Sequence, residues 1–187
     1  MKKDDDKCSY GDFLMFFGLC KKEVQDNLIE VLREQECPYS LCDKKIPKDL
    51  GSITYGQLDD LQTAINAEDP LADTCKILLG IERKNLLEED VNDVFGFLNF
   101  VTKEIDRINK LFSSIKVNYS SEELEAGVKD LQFGAFGVLD WYAQRMHIAN
   151  QNDVRNIAWV RVFQCMKNDN ERNEYERRLS KIYTKKK

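Results

Sequence analysis

Proline and glycine are scarce in this sequence, with three prolines and nine glycines among 187 residues. Both residues disfavour helix interiors, so their scarcity beside many charged helix formers favours an all-α fold. No apolar run approaches the roughly 18 residues that span a membrane, so we expect no membrane helix. There is also no sustained alternation of apolar and polar residues and no Asn-Gly hairpin signal, so we expect no β-sheet.

Histidine is almost absent, with His147 the single example. A Ser-His-Asp or Cys-His unit would need this residue, and no nucleophile elbow accompanies it. A lone histidine near a helix end is predicted to be a surface or capping residue. The sequence also has no glycine-rich phosphate loop and no dinucleotide fingerprint. We therefore expect a non-enzymatic protein without a cofactor or catalytic residues, although a hydrolase using only carboxylates stays open among 33 acidic residues.

Six cysteines occur, and four of them lie in the first 42 residues. The start of the chain resembles an export signal only slightly, because Asp4, Asp5 and Asp6 lie where such a signal has positive charge. We interpret it as a mature N-terminus and expect reduced thiols and no metal. Structural zinc sites have two tight cysteine pairs, whereas "CPYSLC" is one pair. The sequence leaves open whether four of the cysteines bind a metal: Cys8, Cys20, Cys37 and Cys42.

The charge is unevenly distributed along the chain. The net charge is −5, yet Lys167 to Lys187 contain eight Lys/Arg and four Asp/Glu, so the remainder carries −9. Cations near a helix C-terminus are favoured, which makes a solvated helix end the simplest interpretation. A basic end on an acidic body also suits an acidic partner.

The periodicity predicts an irregular bundle of about seven or eight helices. Residues 1–50 are predicted to form an N-terminal helical arm with its connection, and residues 51–187 the main helical domain with a basic C-terminal helix. Leu58, Leu61 and Ile65 should continue one buried stripe. The predicted helix starts are a Thr54–Gln57 capping box with an Ile53–Leu58 staple, an Asp69 cap with Pro70, and a Ser120–Glu123 capping box.

The helix pattern gives three further expectations. Val24, Leu28, Val31 and Leu32 predict a one-sided helix over about 22–36. The segment after Asp90 predicts the longest helix, carrying an apolar stripe from Val91 to Phe112. The C-terminal region is predicted as two helices, the second capped by Asp169 or Asn170.

The phrases "ITYGQLDDLQ", "DPLADTCKILLGI", "DWYAQR" and "NERNEYERRLSKIY" resemble proteins encoded in the head–tail and tail modules of tailed bacteriophages. Such proteins include neck or connector components and tail assembly chaperones. The resemblance extends over about residues 50–183 as scattered phrases and contains no chemical signature. It implies a structural protein assembled in the host cytoplasm and present in the virion, where it contacts other phage structural proteins as a homo-oligomer.

The structural role predicts that the apolar N-terminal arm and the basic C-terminal helix reach neighbouring copies, acidic against basic. The apolar cluster from Phe13 to Leu19 is interpreted either as core or as a docking patch. The candidate partner-binding residues are Phe13, Phe16, Phe17, Leu19, Trp141, Tyr142, Arg172, Arg177, Arg178 and Lys181.

Two alternatives stay open. A tail assembly chaperone would hold an apolar partner segment in a groove. The aromatic side chains that could line this groove, or otherwise form core, are Phe95, Phe97, Phe100, Phe133 and Phe136. A nucleic-acid-binding protein would use Arg172, Arg177, Arg178, Lys181 and Lys185 to Lys187 on phosphates. The interspersed Glu171, Glu174 and Glu176 argue against that use, and we expect nucleic acid and membrane not to be partners.

Overall fold

The computed structural model describes residues 7–64 and 66–185, with the side chain of Lys185 left out. Within these ranges the chain is all-α in class, as predicted, with nine α-helices, slightly more than expected. The elements are α1 Tyr10–Phe17, α2 Lys22–Arg33, β1 Ser40–Leu41, β2 Lys44–Lys45, α3 Tyr55–Ala64, α4 Pro70–Leu79, α5 Arg83–Leu86, α6 Val91–Ser113, α7 Ser121–Glu125, α8 Gly134–Met146 and α9 Trp159–Lys185. Two 3-10 helices occupy Val128–Asp130 and Gln151–Asn156.

The chain forms two compact units, each built from separate stretches of sequence. Within the described residues, the first contains 7–50 and Asp60–Arg107, and the second contains Gly51–Asp59 and 108–185. The first of the two stretches in this unit ends at Leu50, the position of the predicted boundary. Residues 60–107, however, belong with the N-terminal 50 residues and not with the C-terminal part.

The predicted capping signals form the expected helix starts. Gln57 N–H donates to the Thr54 hydroxyl at 3.1 Å, and Thr54 N–H donates to Gln57 Oε1 at 3.0 Å, which completes the capping box before α3. Asp69 caps α4 with Pro70 at its first turn, and Gly80 ends that helix with a positive φ of 65°. Ser120 and Glu123 form the second capping box. Each start satisfies backbone N–H groups that a helix end leaves unpaired.

The core of the first unit is centred on α6. Val94 and Phe97 are fully buried, and Val91, Val101 and Ile105 are nearly so. This confirms an apolar stripe on α6, with Phe97 as a core residue. Leu61 and Ala64 of α3 are also buried. Ile65, predicted in the same stripe as Leu61, lies outside the described residues.

The expectation of no sheet is wrong in one place. β1 and β2 pair antiparallel, with Ser40 opposite Lys45 and Leu41 opposite Lys44. The connecting residues Cys42 and Asp43 have φ values of 45° and 58°. Two successive positive φ values make the tight turn whose twist matches a hairpin, but here the usual Asn-Gly is replaced by Cys-Asp. The turn therefore carried no sequence signal of the expected kind.

The C-terminal prediction of two helices is also corrected, because α9 runs unbroken for 27 residues and is longer than the 23-residue α6. Asp169 and Asn170, predicted as caps, lie inside α9. Arg145 donates to both carboxylate oxygens of Asp169, at 2.9 and 3.1 Å. Asn170 Nδ2 donates to the Lys116 carbonyl at 3.0 Å. These side chains are engaged away from their own backbone, so they do not compete with the helix.

The second unit joins residues distant in sequence. Tyr55 N–H donates to the Ile157 carbonyl at 2.7 Å, and Trp159 N–H donates to the Ile53 carbonyl at 3.2 Å. Arg155 adds an ion pair with Asp59 at 2.8 Å. Residues 51–59 are thereby held against the start of α9.

An aromatic cluster fills the core of the second unit. Phe112 lies with its ring centroid 6.0 Å from that of Trp159 and 5.3 Å from that of Phe163. Tyr142 is also buried, as are Ile53 and Leu58 of the predicted staple. His147 ends α8 in the left-handed conformation, with φ 55°, as the capping interpretation predicted.

Candidate protein-binding surfaces

In the first unit, α1 is attached to the segment before α6 by backbone hydrogen bonds. Tyr10 N–H donates to the Glu89 carbonyl at 2.8 Å, Gly11 N–H to the Leu87 carbonyl at 2.9 Å, and Val91 N–H to the Cys8 carbonyl at 3.0 Å. Ser9 caps the helix by accepting from Asp12 N–H. The position of α1 is therefore determined by main-chain pairing as well as by its side chains.

One side of α1 packs on α6. Tyr10 is buried, and its ring meets Phe95 edge-to-face at 6.4 Å. Phe13 lies 5.5 Å from Phe95 and 4.9 Å from Phe17, measured between ring centroids. The spacing of residues 10, 13 and 17 places these side chains along one helix face.

The other side of α1 is mostly apolar and exposed, and so is Leu19, two residues beyond the end of the helix. Met15 and Phe16 expose more than half of their side chains, and Leu19 exposes 81%. Asp12, exposed in the first turn, is the one charged residue of α1, yet only one side of this otherwise apolar helix is covered. The sequence left open whether the cluster from Phe13 to Leu19 is core or a docking patch. Phe13 and Phe17 pack inward as core residues, whereas Phe16 and Leu19 face solvent.

The predicted one-sided helix is α2, but its apolar stripe does not face the core. Leu32 is buried, whereas Val24, Leu28 and Val31 expose between 36% and 58% of their side chains. Asn99 Nδ2 holds the end of α2 by donating to the Leu32 carbonyl at 2.8 Å and the Gln35 carbonyl at 3.2 Å. Near the start of α2, Gln25 Nε2 also donates to the Phe17 carbonyl at 2.7 Å. The helix is therefore attached at both ends, and it leaves most of its apolar stripe to solvent.

A cavity of about 530 Å³ opens between α1, α2 and α6. Its apolar lining includes Phe13, Phe17, Ile29 and Phe95, and its polar lining includes Arg33, Lys103, Asn99 and Thr102. Neither Arg33 nor Lys103 forms an ion pair with a described residue. Of the aromatics predicted to line a groove, Phe95 does so, whereas Phe97 is core.

In the second unit, the predicted site residues have different surroundings. Trp141 is half-buried and contributes to a shallow depression with Arg145, Asp169 and Arg172. Tyr142 is only 1% exposed, so its ring lies in the core and is not presented to a partner. Phe133 and Phe136, which were candidate groove residues, project from the start of α8 and are largely exposed.

Two of the four predicted basic residues on α9 are engaged by carboxylates. Arg172 pairs with Glu176 at 3.1 Å, and Arg177 pairs with Glu123 at 3.0 Å and Glu174 at 3.9 Å. Arg178 and Lys181 are exposed and form no ion pair with a described residue. The side chains of Lys185 to Lys187, proposed from the sequence for phosphate contact, lie outside the described part. That this helix does not bind nucleic acid stays a prediction.

The N-terminal cysteines differ in environment. Cys8 and Cys37 are exposed, while Cys20 and Cys42 are partly buried. Within the described ranges, no three His, Cys, Asp or Glu side chains are grouped so as to hold a metal ion. The pKa of the Cys42 thiol is raised to about 12, first by burial and next by its hydrogen bond with the Glu89 carboxylate. Burial also raises the pKa of Cys75 to about 12.

The fold defines an all-α protein with exposed apolar helix faces in each of its two units. Comparison with known proteins finds no family model, curated protein or solved structure that matches this chain. In the described residues, no helix has both the length and the apolar character needed to cross a membrane.

Proposed function

We propose that this chain is a non-enzymatic structural protein of a tailed bacteriophage virion, a head–tail connector or tail-associated component that acts through protein–protein contacts. The observation that carries the proposal is the exposed apolar side of α1, with Met15, Phe16 and Leu19. Large apolar side chains grouped on an exposed helix side in this way mark an interaction site. Phage origin rests on the sequence resemblance alone.

Quantitative mass spectrometry of purified virions, beside lysate of infected cells, tests this function. A structural component should occur in the virion at a fixed copy number that is a multiple of the portal or tail symmetry. If the chain is abundant in lysate but absent from virions, the structural role is wrong and the chaperone role below remains. If it is absent from virions and binds no phage protein in lysate, both are wrong.

A tail assembly chaperone is the second candidate, and the cavity between α1, α2 and α6 favours it. An apolar cavity with polar groups at its rim suits one or two apolar side chains of a partner segment. A photo-crosslinking amino acid at Thr102, which lines the cavity, should form an adduct with a tail protein before particles are complete. The same group at Lys44, an exposed residue of β2 that does not line the cavity, should not.

A further inference from the structure

The exposed apolar stripe of α2 has a border of one charge. Val24, Leu28 and Val31 are spaced i, i+4, i+7 and therefore share a face. At 3.6 residues per turn, three glutamates lie together about 100° around the helix axis from this stripe. They are exposed, and none forms an ion pair with a described residue: Glu23, Glu30 and Glu34. The outer side of α2 is thus an apolar stripe with an acidic border.

The C-terminal part of α9 carries a second apolar stripe with the same spacing. Tyr175, Leu179 and Ile182 are again i, i+4, i+7. Tyr175 and Ile182 expose more than half of their side chains, and the neighbouring Tyr183 exposes 63%. Seven residues of helix span about 10 Å, so the stripes on α2 and α9 have equal length.

The border of this second stripe has the opposite charge. Arg178 and Lys181 lie on one side of it, both exposed. They are the two predicted basic residues of α9 that no described carboxylate engages, whereas Arg172 and Arg177 are occupied by glutamates. Glu174 lies on the same side, one turn before Arg178, but it already accepts from Asn118 Nδ2 at 3.1 Å and pairs with Arg177. The α9 face therefore matches the α2 face in length and apolar pattern and complements it in charge.

We propose that the α2 face of one copy binds the C-terminal α9 face of a second copy. Burial of the two stripes supplies the attraction, and the opposite borders set the orientation and discriminate against α2–α2 and α9–α9 pairing. Because each copy presents both faces, the contact is head-to-tail and repeats, giving a ring where the rotation closes and a filament where it does not. This inference rests on the proposed function, and the partner that it identifies is a second copy of the same chain.

Two helix faces alone bury less than the roughly 1,000 Å² typical of a stable interface. A single contact is therefore weak, and assembly should depend steeply on protein concentration. Attraction between exposed charges is screened by salt, so assembly should also weaken as ionic strength rises.

Charge reversal tests the pairing. One variant of the full chain carries Glu30→Lys and Glu34→Lys, and the other carries Arg178→Glu and Lys181→Glu. Sedimentation velocity over a concentration series should show each variant alone associating at least about tenfold more weakly than the unmodified chain. Glu68→Lys, an exposed charge reversal in the loop before α4 and on neither proposed face, is the control and should associate normally.

An equimolar mixture of the two variants is the decisive sample. In a head-to-tail assembly, alternating copies place every reversed α2 face against a reversed α9 face, so the mixture should recover association. Failure to recover, with both variants retaining normal helical circular dichroism, would overturn the proposal. So would variants that associate like the unmodified chain, or an unmodified chain that is monomeric at every concentration.

These outcomes are separate from the test of function. A chain that is monomeric in solution, yet present in virions at a fixed copy number, would refute contact between copies and leave the structural role intact. A chain that associates with charge rescue, yet is absent from virions and bound to no phage protein, would refute the phage role alone.

Discussion

Gly96 lies inside α6, where the chain from Glu36 to Pro38 passes close to the helix. A Cβ at this position would overlap the Glu36 carbonyl oxygen and lie 2.9 Å from its carbonyl carbon. Backbone cannot move aside as a flexible side chain can, so the strain exceeds the gain in helix propensity from alanine. We expect Gly96→Ala to lower the free energy of unfolding by about 1–3 kcal/mol, measured by urea denaturation.

Gly18 is the matched control for this change. It has a right-handed φ of −66°, and a Cβ there meets nothing within 4 Å. Gly18→Ala should leave stability unchanged or raise it by less than about 1 kcal/mol, because alanine restricts the unfolded chain. Equal destabilisation by both substitutions would show that the approach of Glu36 to α6 is not the cause.

Cys42 offers a test of electrostatics at a partly accessible thiol. Its pKa of about 12 lies far above the ordinary value of 9.0, so the reactive thiolate is rare at pH 8. We expect alkylation of native protein at pH 8, followed by peptide mass spectrometry, to modify Cys42 slowly. Its rate should rise with pH up to about 12, since deprotonation supplies the nucleophile.

The carboxylate of Glu89 is one cause of this raised pKa, after burial, and can be removed. Glu89→Gln should lower the pKa of Cys42 and speed its alkylation at pH 8. Cys75, which is fully buried, should stay slow in both proteins. If Glu89→Gln left the rate at Cys42 unchanged, burial alone would account for its protection.

Among the elements, α3 and α7 start with the same kind of capping box but differ in how much of each helix is buried. Helix α3 buries Leu58 and Leu61, whereas α7 has five residues and buries none. Loss of the Thr54 cap should therefore weaken a helix whose side chains form part of the core. We expect Thr54→Ala to lower the free energy of unfolding by about 1–2 kcal/mol, and Ser120→Ala by a smaller amount.

Thr54→Ser distinguishes the contribution of the cap to stability from that of the threonine methyl group. Serine keeps the hydroxyl that accepts from Gln57 N–H but lacks the methyl group. This variant should retain most of the stability in the same denaturation experiment. A loss equal to that of Thr54→Ala would instead assign the effect to side-chain packing.

The helix starts at Thr54, Asp69 and Ser120 were predictable because capping depends on residues within one turn. Burial was not predictable for α2, since the spacing of Val24, Leu28 and Val31 is the same for a core stripe as for an exposed one. The turn at Cys42 was missed because its geometry is set partly by a distant residue: Cys42 N–H donates to Glu89 Oε1 at 3.1 Å. Local patterns thus indicated the helices and the candidate side chains, while tertiary contacts decided which of them face solvent.

At the scale of the whole molecule, the exposed side of α1 should contribute to binding and little to folding. Phe16→Ser with Leu19→Ser removes apolar surface that is already in water. The free energy of unfolding should change by less than about 0.5 kcal/mol for each substitution, while incorporation of the chain into virions should fall. Denaturation of the purified variant and mass spectrometry of particles measure the two effects separately.

Tyr10→Ser, on the buried side of the same helix, is the contrasting change. It removes a ring packed against Phe95 and should cost about 3 kcal/mol or more. If the Phe16 and Leu19 substitutions destabilised the chain as much as this one, their side chains would be structural and unsuited to a partner.

The pairing of residues 51–59 with the start of α9 has a consequence for synthesis on the ribosome. Asp59 and its partner Arg155 are 96 residues apart. At a translation rate of about 5–20 residues per second, the earlier segment waits roughly 5–20 seconds for its partner to be made. The second unit therefore cannot finish folding until nearly the whole chain has been translated. A stall or premature release before Arg155 would leave Ile53 and Leu58 in a nascent chain without the later segment that covers them in the finished protein.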